Sequence, residues 1–137
     1  MTERVAERWL DAHANEPFFH FLHLYEPHAP YTPTYDADIV AADAIVGSLL
    51  AHLKRSGIYD RALIVLLSDH GEGLMDHGEQ EHGVFLYRED LRVPLVVKLP
   101  KSARHGQSVT SLAELIDVAP TILEAAGVSK PAAMQGL

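Results

Sequence analysis

Residues 66–83, LLSDHGEGLMDHGEQEHG, hold three histidines, two aspartates and three glutamates in eighteen positions. They continue the apolar run ALIVLLS, 62–68, so Asp69 and His70 stand where a buried strand would end. An adjacent carboxylate and imidazole are good ligands for Mn²⁺ or Zn²⁺. They are tolerable for Mg²⁺ or Ca²⁺ when the other ligands are hard oxygens. Gly71 and Gly73 let the backbone turn sharply and approach a ligand closely. Two ligands do not complete a site, so others must come from elsewhere in the fold, with His77 and His82 as local candidates. The competing reading is a solvated loop, and Asp76, Glu79, Gln80 and Glu81 are read as solvent-facing.

The elements that would position this loop follow from periodicity and punctuation. Residues 2–14 read as a helix, with Val5, Trp9 and Ala12 on one face. PFFHFLHL, 17–24, reads as a short buried strand, and YEPHAPYTPT, 25–34, with three prolines, as a loop. Residues 36–55 are the clearest helix, with apolar residues at three- and four-residue steps and Gly57 as terminator. ALIVLLS, 62–68, and VPLVVKL, 93–99, lack polar alternation, as strands covered on both faces do. Residues 109–116 are compatible with strand or helix, strand being preferred. DVAPTILEAAG, 117–127, reads as a helix capped by Asp117 and ended by Gly127. Such alternation implies an α/β domain, a mostly parallel sheet with flanking helices. In such sheets ligands sit beyond the carboxyl ends of the strands, which selects two loops here. One contains His28 and the other opens with Asp69 and His70.

The 137 residues have the size of one domain. A formal charge of −8 without a basic stripe argues against nucleic acid as partner. There is no cysteine, so thiolate chemistry and disulfides are excluded within the chain. No apolar run reaches the roughly 20 residues needed to cross a bilayer. MTERVAERWL lacks the apolar core of a signal peptide, which leaves the compartment unknown.

SDHGEGLMDHGEQEHGVFLYREDLRVPLVVKLP resembles the C-terminal active-site segment of the sulfatases, within the alkaline phosphatase superfamily. Three further stretches resemble that family in order and spacing. FFHFLHLYEPHAPY is similar to its strand and His-x-Pro-Tyr loop, YDADIVAADAIVGSLLAHL to its Asp-x-x-Val-Gly helix, and LIDVAPTILEAAGV to a later helix. The resemblance implies an alkaline-phosphatase-like fold, with residues 1–137 as one partial catalytic domain. It implies Asp69 and His70 as ligands of a catalytic divalent metal. Many sulfatases place Asn at the second position and bind Ca²⁺, so His tilts the expectation toward Mn²⁺ or Zn²⁺. His28 would hydrogen-bond the sulfate or phosphate, or protonate the leaving oxygen. His82 falls where relatives carry a Lys or His that contacts the ester.

Asp43, polar on an apolar helix face, is expected to hydrogen-bond structurally. Tyr31, Arg92 and Pro94 are also read as structural, and His20 and His23 as satisfied core histidines.

Members of that family place acidic metal ligands and a Cys/Ser-x-Pro-x-Arg motif, whose Cys or Ser becomes formylglycine, nearer their N-terminus. Neither is present here. The expectation is a C-terminal portion of a larger sulfuric ester hydrolase beginning at an incidental Met1, inactive alone and a weak metal binder. A sulfate or phosphate ester would be its substrate, and an exposed sheet edge would favour self-association. Two alternatives stay open: a phosphodiester or phosphonate hydrolase or phosphoethanolamine-type transferase of the same superfamily, and a non-catalytic binding module.

Overall fold

The computed structural model describes residues 2–137. Met1, and with it the expectation of an incidental start, lies outside the described residues. The chain divides into two compact units, one ending at Arg61 and one running from Ala62 to Leu137.

The first unit pairs helix α1, Thr2–Ala12, with helix α2, Tyr35–Arg55. Helix α2 starts where expected because the Thr34 hydroxyl accepts from the Ala37 N–H at 3.2 Å, with Asp36 and Asp38 in the first turn. It stops where Gly57 takes φ +70°, a conformation costly for any residue with a Cβ. Ala6, Leu10, Leu53 and Ile58 form the core of this unit. His52, which carried no signal in the sequence, reaches Asp11 at 2.9 Å and Glu7 at 3.7 Å and so ties α2 to α1.

Residues 17–24 do not form the expected buried strand. Exposure alternates along them as it would in a strand, yet Phe19 and Phe21 are 69% and 75% exposed. A strand exists only as a hydrogen-bonded pair, and no ladder forms here among the described residues. His23 is exposed, and the buried Nε2 of His20 has no hydrogen-bond partner among the described residues, so neither is a satisfied core histidine.

The second unit contains strand β1, Ile64–Leu67, helix α3, Arg88–Leu91, strand β2, Leu95–Lys98, and helix α4, Val118–Ala125. The strands pair antiparallel, Ile64 opposite Lys98 and Leu67 opposite Leu95. This corrects the expected mostly parallel sheet: among the described residues the sheet has two strands and they run oppositely. Parallel neighbours need a crossover, usually a helix of some length. The 68–94 connection offers only the four residues of α3, and the chain returns along the same edge.

Nor are the strands covered on both faces, since Leu66, Leu67, Val96 and Val97 remain exposed. Residues 109–116 form no strand, and a 3-10 turn at Leu115–Asp117 leads into α4. Gly127, at φ +69°, ends α4 as expected. Asp117 does not cap it, because its carboxylate accepts instead from the N–H groups of Leu137 and Glu114. Those two bonds hold the Asp117 carboxyl below its ordinary pKa.

Candidate functional site

Beyond β1 the backbone turns at once, and the Ser68 hydroxyl donates to the His70 carbonyl at 2.6 Å. His70 Nδ1 lies 2.9 Å from the Gly71 carbonyl. A carbonyl only accepts, so Nδ1 carries the proton and Nε2 presents its lone pair, the form in which imidazole binds metals. Asp69 Oδ1 accepts from the His70 N–H at 3.1 Å and stands 3.8 Å from His70 Nε2. An oxygen and a nitrogen so spaced fit two ligands of one cation. Among the described residues no group of three His, Cys, Asp or Glu side chains could hold a metal ion. Asp69 and His70 alone do not complete a metal site.

The glycines allow the loop to approach its own chain closely. Gly71 donates to the Asp90 carbonyl at 2.8 Å, and a Cβ at Gly71 would overlap the Glu89 carbonyl oxygen. Gly73 donates to the Glu81 carbonyl at 2.9 Å, and a Cβ there would sit 2.9 Å from the Glu79 carbonyl oxygen. Both let the loop press on its own chain.

Glu79 is a further correction. It is buried, not solvent-facing, and its carboxylate accepts from the Val84 N–H at 2.8 Å and the Phe85 N–H at 3.2 Å. The signal available in the sequence was the pair of glycines flanking that turn, Gly78 and Gly83, both at positive φ.

His82 joins the pair. Its ring centroid lies 3.8 Å from that of His70, and its Nδ1 lies 3.0 Å from Glu72 Oε1. Asp69, His70 and His82 thus share one corner of the second unit. His77 does not join them: it pairs with Glu89 and stacks on Tyr87, centroids 4.2 Å apart.

His28 belongs to the first unit, where it is half-buried, stacks on Tyr25 at 4.5 Å and places Nδ1 2.7 Å from the Ala29 carbonyl. Its loop is held by a residue the sequence did not single out. Asp38, buried in the first turn of α2, accepts the Thr32 N–H with both carboxylate oxygens, at 3.2 and 3.3 Å. Asp43, expected to hydrogen-bond structurally, is exposed.

Asp90 is 6% exposed, and neither carboxylate oxygen has a hydrogen-bond partner among the described residues. Burial, reinforced by the nearby carboxylates of Glu79, Glu89 and Glu72 against the opposing effect of His82, pushes its pKa up. A carboxyl raised in the folded state costs nothing below its unfolded value, about 3.9, and is destabilising above its folded one. Asp90→Asn is therefore expected to raise the thermal midpoint at pH 7, with the gain shrinking as pH falls toward 4. Melting curves across that range check it, and a gain independent of pH would contradict it. Glu89 is shifted the other way, lowered by a backbone hydrogen bond and by the His77 side chain.

A family model described as Sulfatase matches residues 1–128. An N-acetylglucosamine-6-O-sulfatase from Bacteroides thetaiotaomicron is 37% identical over 106 residues, covering 77% of this chain and 19% of that protein. Arylsulfatase K from Xenopus laevis is 33% identical over 116 residues, 79% of this chain and 21% of that one. A multifunctional alkaline phosphatase superfamily protein from Trinickia caryophylli is 42% identical over 105 residues, 75% of this chain and 20% of that one. A solved structure in complex with its substrate, D-glucosamine-2-N,6-O-disulfate, superposes with TM-score 0.69 at 37% identity, over 74% of this chain and 20% of that one. The chain thus spans about one fifth of the length of the curated relatives it matches.

Proposed function

Because the chain belongs to the sulfatase family, we propose that it carries the metal-side and leaving-group half of a sulfuric ester hydrolase active site. The observation that supports this most directly is the placement of Asp69 Oδ1 3.8 Å from His70 Nε2, with the His82 ring centroid 3.8 Å from that of His70. The donor set, one carboxylate oxygen and one imidazole nitrogen already in its ligand tautomer, fits Mn²⁺ or Zn²⁺ better than Ca²⁺. Such an ion would supply positive charge for the sulfate oxygens and lower the pKa of the attacking hydroxyl.

The chain's own residues do the rest. Asp69 and His70 hold the ion, with Ser68 and the Gly71 carbonyl fixing the backbone and the ring. His82 offers an N–H to the departing ester oxygen. The nucleophile, which the family resemblance makes a formylglycine, comes from a segment other than residues 1–137.

The amino-sugar sulfatase among the relatives, and the glucosamine disulfate bound in the solved neighbour, favour a sulfated sugar as substrate class. A multifunctional alkaline phosphatase superfamily relative keeps a phosphodiester or phosphonate hydrolase as the second reading. Release of sulfate from glucosamine 6-sulfate by the longer enzyme that supplies the nucleophile, set against release of phosphate from the matched phosphate ester, separates the two. The expected result is sulfate release that requires Mn²⁺ or Zn²⁺ and is at least about tenfold faster, a difference of about 1.4 kcal/mol in barrier. Faster phosphate release would favour the second reading, and no release of either would sink both.

A further inference from the structure

We propose that Glu72 is a positioning residue for His82, fixing which ring nitrogen faces the ester. The inference rests on the reading of His82 given above and assigns Glu72 a part in the same site. Glu72 Oε1 lies 3.0 Å from His82 Nδ1, and the Glu72 side chain is 6% exposed against 25% for His82. The carboxylate is therefore the buried, fixed member of the pair, and the imidazole is the member that reaches outward. An ionised carboxylate accepts hydrogen bonds and cannot donate, so Nδ1 must bear the hydrogen. Nε2 is then the nitrogen that serves the substrate.

The backbone leaves Glu72 little freedom to do anything else. It sits between Gly71 and Gly73, whose N–H groups donate to Asp90 and Glu81 and where an added Cβ would collide with the carbonyl oxygens of Glu89 and Glu81. With both neighbours held, the Glu72 side chain leaves the backbone from a set position. The same logic operates next door, where the Gly71 carbonyl sets the His70 tautomer. The two neighbouring rings are thereby oriented by two different acceptors, one a carbonyl and one a carboxylate, as their two tasks require.

The test is the protonation pattern of the His82 ring in the 137-residue chain, read by long-range ¹H–¹⁵N correlation at a pH where the ring is neutral. The expected result is hydrogen on Nδ1 in the unaltered chain. Glu72→Ala should lose that preference and return His82 to the mixture of a free imidazole. Glu72→Gln, whose amide oxygen still accepts, should keep it. The His70 pattern should persist in both variants, which distinguishes loss of positioning from loss of the loop. A His82 ring with its hydrogen on Nε2 in the unaltered chain, or a pattern unchanged in Glu72→Ala, would overturn the proposal. Should Glu72→Ala fail to fold, the unaltered chain and Glu72→Gln still decide it, because hydrogen on Nε2 in the first refutes it directly. These readings do not depend on turnover. Absence of sulfate ester cleavage would remove the functional reading and leave the Glu72–His82 pairing standing.

Discussion

Gly71→Ala is expected to destabilise the second unit by about 3–4 kcal/mol, from overpacking and from a buried hydrogen bond left unmade. The added methyl would overlap the Glu89 carbonyl oxygen, an atom of the backbone that no rotamer change can move aside. Relief requires the loop to lift from α3, which breaks the 2.8 Å bond from the Gly71 N–H to the Asp90 carbonyl. His70 and Glu72 flank that point, so both side chains shift together. Gly47 provides the internal comparison. It lies within α2, and a Cβ there meets nothing within 4 Å. Gly47→Ala is expected to stabilise by about 0.5–1 kcal/mol, because it removes backbone freedom from the unfolded chain and adds no clash. Urea denaturation of the two variants checks both signs. Equal effects would show that the loop gives way as easily as open solvent does.

The second large effect concerns His70. In the unaltered chain, Mn²⁺ at about 100 times its dissociation constant should raise unfolding stability by about 2.7 kcal/mol, since only the folded state brings the donors together. His70→Ala should remove that increment at the same metal concentration. Loss of affinity should exceed the roughly 10–100-fold typical of losing an outer hydrogen-bonding partner. Ser68→Ala, which deletes only the 2.6 Å bond to the His70 carbonyl, supplies that milder case. Calorimetric titration of the three proteins with Mn²⁺ ranks them. Equal affinity in the unaltered chain and His70→Ala would place the ion elsewhere.

The residues legible in the sequence share one property: their signals are local. Helix α2 was expected over 36–55 and runs Tyr35–Arg55, because its cap at Thr34, its apolar steps and its terminating Gly57 all lie within or beside it. Helix α4 ended at Gly127 for the same reason. Asp69 and His70 were conspicuous as polar ligands directly after an apolar run, and the turn that orients them spans only residues 68–71.

What the sequence left undecided depends on partners farther along the chain. The direction of β2 against β1 turns on how 27 intervening residues return, and neither strand's composition encodes it. Glu79 and Glu72 look like ordinary loop carboxylates until the fold sets one under the N–H groups of Val84 and Phe85 and the other beside His82, ten positions on. Asp38, six residues from the Thr32 N–H it accepts, was hidden inside a helix whose other residues explained its pattern. Helix α2 and the turn around Asp69 and His70 were determined by the sequence itself, since each needs only neighbours within a turn or two. Strand direction, the burial of carboxylates and the pairing of His82 were decided by the tertiary structure, because a buried charge is tolerable only where the fold supplies its hydrogen-bond donors.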